Sequence, residues 1–312
     1  MTRKILVTGG AGNVGSSLAK KLVADKDNFV VVVDDLSTGN TSKLPFSEGN
    51  GDNFKFIKAD VNSLHDISPI VLRYGFDYIF HYAAVVGVKR TLDNPAKVLN
   101  DIQGIKNVLE LAKNTGVKRV FFSSSSEVYG EPVEFPQNED TTPLNSKLPY
   151  AIVKNVGEAF LKSYKKEYDL DYTIFRFFNT YGPDQSSDFV ISKFIDEALA
   201  GRPITLYGDG LQTRTFCYID DNIDATINAL YHNYFINDVV NVGSDKEMTI
   251  LDLAKLVIKE TGSTSVIEYL PPLPEGDMTR RKPDIGKMKI LLHRELTPVE
   301  EGIRKIISLR KN

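Results

Sequence analysis

The stretch VTGGAGNVGSSL, Val7 to Leu18, ends one apolar run and opens a helical one. Within it Gly9, Gly12 and Gly15 form G-x-x-G-x-x-G. Glycines allow a tight turn and the close approach of a pyrophosphate. The helix that follows turns unbonded N–H groups, those of Asn13 and Val14 among them, toward that charge. Asp34 ends the next apolar run, FVVVVDD, 19 residues after Gly15. A carboxylate there accepts the hydroxyls of an adenosine ribose and repels a 2′-phosphate, so the pattern predicts NAD rather than NADP. In KADV, Lys58–Val61, Asp60 is expected beside the adenine, with Val61 next to it. The competing reading of the whole stretch is a glycine turn that serves helix packing, with a solvated aspartate.

Outward from this turn the chain alternates. KILVTGG, FVVVVDD, FKFIKADV, YIFHYAA, RVFFSSSS and DYTIFRFFN read as strands. VGSSLAKKLVAD, VLNDIQGIKNVLELAKNTG and YAIVKNVGEAFLKSYKKEY read as helices. The strands are continuously apolar rather than alternating, which marks a parallel sheet covered on both faces. After Asn179 the rhythm changes. TYGPDQSSDF is rich in turn formers, VISKFIDEALAG and TILDLAKLVIKETG are helical, and LPPLPEGDMTRRKP is a Pro-rich loop. DVVNVGS, near 237–243, reads as one more sheet strand that returns the chain to the first domain. The expected fold class is α/β: a doubly wound parallel sheet in residues 1–178 and a smaller, interleaved α/β domain in 179–312.

Composition narrows the function. The chain has 312 residues, is 42% apolar and 25% charged, and carries a net charge of -3 with no basic block. That argues against nucleic acid or an anionic membrane as partner. Cys217 is the one cysteine, so no disulfide forms within the chain and a reducing, cytoplasmic setting is expected. His65, His81, His232 and His293 are scattered without ligand spacing, and no metal is expected. No apolar run approaches the roughly 20 residues of a membrane span. The apolar core of MTRKILVTGG is too short for a signal peptide.

Tyr150 and Lys154 stand at i, i+4 and project from one helix face. A phenol alone has a pKa near 10. A nearby ammonium, with the positive ring of an oxidised nicotinamide, favours the phenolate and makes Tyr150 a base at neutral pH.

These motifs, with HYAA, SSSSEVYGE, PYAIVK, RFFNTYGP, YGDGLQTRTFCYIDD and RRKPDI in that order, resemble the extended short-chain dehydrogenase/reductase family, and its nucleotide-sugar epimerase/dehydratase branch in particular. The resemblance covers nearly the whole chain. It implies a Rossmann domain that keeps and recycles NAD, with Ala83 in the cofactor site. It also implies a small C-terminal domain for a UDP- or GDP-linked sugar. By the same resemblance Ser125 would bond the sugar 4-hydroxyl and relay its proton to Tyr150, and Lys154 would hold the nicotinamide ribose. Ser126 and Lys89 would touch substrate, Asn179 would hold the diphosphate, and Arg214 and Arg281 would clamp the phosphates as bidentate donors. Family members pair two helices per subunit, so a homodimer or higher homo-oligomer is expected. Four positions depart from the pattern. Asn13–Val14 replaces Phe-Ile, Asp35 replaces a frequent Asn, and Asp101 stands where Asn is usual.

The shared half-reaction oxidises C4 of the sugar to a ketone. A 4,6-dehydratase then needs an Asp–Glu pair; Ser126–Glu127 lacks the Asp, which speaks against that outcome. The expected activity is nucleotide-sugar 4-epimerisation. UDP-glucuronate decarboxylation is the alternative, because Ser–Glu, FNTYGP and QTRTFCYIDD also resemble decarboxylases, whereas AAVVGVKRTLDNP resembles epimerases. A net 4-dehydrogenase that releases the ketone is a further outcome, and a non-catalytic NAD-binding protein a last one. Glu127 acts on a neighbouring carbon or is merely structural.

Overall fold

The structure, a computed structural model, describes residues 2–46, 52–87, 91, 93–271 and 281–311. Its centre is a parallel sheet of seven strands. Six come from the first half: β1 (Arg3–Thr8), β2 (Asn28–Asp34), β3 (Phe54–Lys58), β4 (Tyr78–His81), β5 (Arg119–Ser125) and β6 (Asp171–Phe177). A late strand, Asp238–Val242, adds to the edge beside β6 with Val240 opposite Phe175. The spatial order places the late strand first, then β6, β5, β4, β1, β2 and β3.

Alternate residues of each strand feed two separate cores, which is why the strands read as unbroken apolar runs. Ile5, Val7, Val30, Val32, Phe80, Phe121 and Phe175 face one side, packed with Leu18 and Leu22 of the helix Asn13–Ala24 and Ala225 and Ala229 of the helix Ile219–Tyr231. Leu6, Val31, Val33, Ile79, Val120, Phe122 and Ile174 face the other. They meet Ile67 and Val71 of the helix Leu64–Tyr74, Val108 and Ala112 of the helix Asp101–Thr115, and Val153 and Leu161 of the helix Pro149–Tyr168. Every strand pair of this sheet is parallel, so its connections cross over a face, and helices cover both faces.

The order reverses at β1. The chain steps outward through β2 and β3, then returns to the other side of β1 as β4. Loops leaving the carboxyl ends of β1 and β4 therefore diverge, and a crevice opens between them. Beyond β6 the described residues form three small pairs. β7 (Thr180–Tyr181) joins β10 (Cys217–Tyr218), β8 (Ile204–Tyr207) joins β13 (Ile267–Leu270), and β9 (Thr213–Thr215) joins β12 (Glu247–Thr249), with the late sheet strand as β11. Among the described residues no helix is long and apolar enough to cross a membrane.

Candidate active site

A cleft of about 940 Å3 occupies the crevice. Gly9, Gly12, Asn13, Val14, Gly15, Asp34, Asp60, Val61, Ala83, Ser125, Ser126, Glu127, Tyr150, Lys154, Asn179 and Arg281 all line it. Arg214 is not among the lining residues. It lies on β9, half-buried, with Nη1 donating to the Thr213 carbonyl at 2.7 Å. Lys89 lies outside the described residues.

At one end the backbone does the work. Gly9 sits at φ +69°, and a Cβ there would lie 2.6 Å from the Ala83 backbone. A Cβ on Gly15 would lie 2.3 Å from the Gly9 carbonyl oxygen. Both positions exclude larger residues by contact with main chain, which cannot move aside as a side chain can. The helix Asn13–Ala24 begins at Gly12 with no side-chain cap, so its first N–H groups are left for a ligand. Asn13 Oδ1 is buried there without a hydrogen-bond partner. Asp34 accepts from Ala11 N and Leu36 N, each at 2.9 Å. Burial raises its carboxyl above the usual range, against those two bonds. A carboxylate offers about four acceptor positions, so two backbone bonds leave room for ribose hydroxyls. An uncapped helix start, a glycine cradle and a buried acceptor beyond it fit NAD.

At the other end side chains converge. The four serines at the end of β5 each take a different partner. Ser123 Oγ accepts from Lys154 Nζ at 3.4 Å. Ser124 Oγ donates to Glu158 Oε1 at 2.6 Å. Ser125 hydrogen-bonds the Tyr150 phenol and accepts from Glu127 N at 3.2 Å, capping the short helical turn Ser126–Tyr129. Ser126 Oγ accepts from Arg281 Nη1 at 3.2 Å. Ser123, Ser124 and Glu158 were not singled out from the sequence. The signal was available, since Tyr150, Lys154 and Glu158 recur at i, i+4 and i+8 on one helix. Glu158 also holds Arg176 through both oxygens, at 3.0 and 2.7 Å, with both side chains 2% exposed. Arg176 Nη1 reaches the Tyr129 hydroxyl at 2.8 Å, and burial pushes that phenol up to about 12. This pair ties the helix that carries Tyr150 to the turn that follows Ser125.

The Lys154 ammonium does not lower the Tyr150 phenol in the chain alone. It sits 5.7 Å from the centre of that ring and 4.9 Å from the Phe122 ring, not against the hydroxyl. Burial raises the phenol above its usual range, the Ser125 hydrogen bond opposes this, and the Glu127 and Asp101 carboxylates add to the rise. Lys154 itself is lowered to about 8 by burial, with the Asp101 charge acting the other way. Arg281, expected at the phosphates, lines the cleft paired with a carboxylate. Its guanidinium donates to both oxygens of Glu127, at 2.6 Å each, because its fork matches a carboxylate. The segment carrying it is anchored by Gln137, which donates its N–H to the Lys282 carbonyl and accepts from Asp284 N, both at 2.8 Å.

Asn179 stands at φ +26°, a backbone state that Asn tolerates better than most residues. Its Nδ2 donates to the Thr215 carbonyl at 3.0 Å. His81 is buried with Nδ1 2.9 Å from Thr8 Oγ1 and is lowered to about 3, so it is neutral.

The comparisons agree with this geometry. Residues 5–243 match the model of the NAD dependent epimerase/dehydratase family. UDP-glucuronic acid decarboxylase 1 of Danio rerio is 37% identical over 98% of this chain and 72% of that protein. A putative UDP-glucose 4-epimerase of Methanocaldococcus jannaschii is 33% identical over 99% of this chain and 98% of that one. The structure of a UDP-glucose 4-epimerase from Thermotoga maritima, with UDP-glucose, superposes with a TM-score of 0.91 at 32% identity, covering 99% of each chain. With the glycine cradle, the reversal of strand order and the Ser–Tyr–Lys cluster in one cleft, this chain belongs to the NAD dependent epimerase/dehydratase family of enzymes.

Proposed function

We propose that this enzyme oxidises C4 of a nucleoside-diphosphate sugar, UDP-linked before GDP-linked, and returns the sugar as its C4 epimer. One observation carries the reading: Ser125, Tyr150 and Lys154 share the cleft that holds the glycine cradle. NAD, when bound, supplies the hydride acceptor for C4. The chain supplies the rest. Ser125 orients the 4-hydroxyl by a hydrogen bond and passes its proton to Tyr150, to which it is already bonded. The phenol is held protonated in the free chain, so a proton-accepting state forms only when positive charge joins the cleft. Lys154, fixed by Ser123, is placed to hold a ribose hydroxyl. Asn179 and the backbone near it are assigned to the diphosphate. Residues 1–178 with β11 form the cofactor part, and the remainder forms the sugar part.

The Glu127–Arg281 pair favours a second reading, decarboxylation of UDP-glucuronate. The pair stands beside Ser125 and Ser126, where it can act on the carbon next to C4. Oxidation at C4 makes a β-keto acid, from which carbon dioxide leaves, and the carbon left behind must gain a proton. The reading also carries a reducing, cytoplasmic setting, consistent with the lone buried Cys217, and a homodimer or higher homo-oligomer.

The test feeds UDP- and GDP-sugars one at a time to the purified holoenzyme and identifies products by mass spectrometry and NMR. An isomer of unchanged mass, inverted at C4, is expected. Loss of carbon dioxide from UDP-glucuronate selects the second reading. Accumulation of a 4-keto sugar, or no conversion of any sugar, overturns both.

A further inference from the structure

Asp101 lines the cleft but has no part in the C4 chemistry above. It opens the helix Asp101–Thr115, and its Oδ2 accepts from Val85 N at 2.7 Å. Asn62 bonds the same carboxyl. These two contacts pin it from the β3 and β4 sides of the cleft. Its neighbours in charge are Asp60 on the loop after β3, and Lys154 and Tyr150 on the helix Pro149–Tyr168. Of the other carboxylates at this end, Glu127 has both oxygens taken by Arg281. Lys154 is 3% exposed and donates to the neutral Ser123 hydroxyl, and among the described residues the Asp101 carboxylate is the charge that favours its ammonium.

The reacting ring of the cofactor must lie at this end, because the groups that handle the C4 proton lie here. That ring is positive when oxidised and neutral when reduced. The Lys154 ammonium alone would disfavour the oxidised form. We propose that Asp101 is a specificity-determining residue for cofactor redox state: its carboxylate supplies the negative charge that makes this cleft hold NAD+ in preference to NADH. A cleft so biased makes the reduced state of the complex the less stable one. The ketone is then reduced again in place rather than released, as an epimerase or decarboxylase needs and a net dehydrogenase does not.

The test uses the holoenzyme. Wild type, Asp101→Asn and Asp101→Ser are equilibrated against mixtures of NAD+ and NADH, and the two bound forms are quantified after rapid desalting. A single unit charge in a partly buried site is worth roughly a three- to tenfold change in that preference. Both neutral variants are expected to lose NAD+ preference by this factor, while Asp101→Glu retains most of it. The ratio comes from the folded, cofactor-bound molecules of one preparation, so partial misfolding does not change it. An unchanged ratio in the neutral variants, or equal weakening of both forms, overturns the proposal and leaves Asp101 as a structural anchor for Val85.

Discussion

The glycine turn and the Glu127–Arg281 corner share one cleft but are built in opposite ways. The turn is made of backbone. Its three glycines lie within seven consecutive residues, and its closest contacts are main chain against main chain. The corner is made of side chains 154 residues apart, brought together by a loop that Gln137 anchors. A backbone site tolerates almost no change and has one purpose. A side-chain pair can be retuned without disturbing the fold, and such a pair is where relatives with a common oxidation step can diverge. Epimerases and decarboxylases both match the chain over nearly its whole length.

The largest effect belongs to neither region but to the step between them. Tyr150→Phe removes the proposed proton acceptor while keeping the ring, and loss of a general base lowers rates by about 10²–10⁴-fold. Single-turnover reduction of bound NAD by substrate is the measurement. Retention of more than a tenth of the rate would mean that another group takes the proton.

Gly9→Ala comes next, as a direct attack on the backbone site. Its Cβ would meet the Ala83 main chain at 2.6 Å in a left-handed conformation. Strain of this kind costs on the order of 1–3 kcal/mol, and here the displaced backbone is that of the cofactor cleft. The variant should purify with at least tenfold less bound NAD. Full cofactor content would show that the turn is as adaptable as the corner.

Why one region was legible in the sequence and the other was not follows from these contacts. Gly9, Gly12, Gly15 and Asp34 form a local pattern with a local backbone reason. Strands with both faces buried announce themselves as apolar runs, as FVVVVD does. Pairing between distant side chains leaves no such trace. Arg281 reads as an anion clamp because arginine near a nucleotide site usually is one; only the fold shows that Glu127 takes it. The reach of Arg214 likewise depends on how β9 pairs with β12. Ser123 and Ser124 were hidden by their neighbour: four identical residues look like one feature until each is seen with its own partner.

Glu127→Gln tests the corner. It keeps the shape of the side chain and one acceptor but breaks the bidentate ion pair. C4 oxidation, followed as reduction of bound NAD, should stay within about threefold, while the yield or identity of the final product changes. If reduction itself is abolished, the corner belongs to the oxidation step and the contrast with the turn collapses.

The smallest effect lies in Lys154, which lines the cleft that both regions share. Its ammonium is lowered from 10.5 to about 8 by burial. The folded chain therefore binds this proton more weakly than the unfolded chain. The contribution of this group to the stability of the free protein should rise with pH between about 8 and 10, where the unfolded chain still holds a proton that the folded chain has given up. Above pH 10 the raised tyrosines, Tyr150 among them, hold their protons more tightly when folded and reverse the slope. Complete traversal of the lysine window corresponds to roughly 3 kcal/mol. Lys154→Met removes this titrating group, while Cys217, whose thiol burial raises well above its ordinary range, still lets the unfolded chain lose a proton that the folded chain keeps and tilts both proteins downward in the same window. Denaturant melts of the cofactor-free protein at pH 7.5 to 9.5 should show a more positive slope for wild type than for the variant. Equal slopes in both would mean that the ammonium keeps its ordinary affinity for the proton. The charge balance between Lys154 and Asp101 would then have no energetic consequence for the empty cleft.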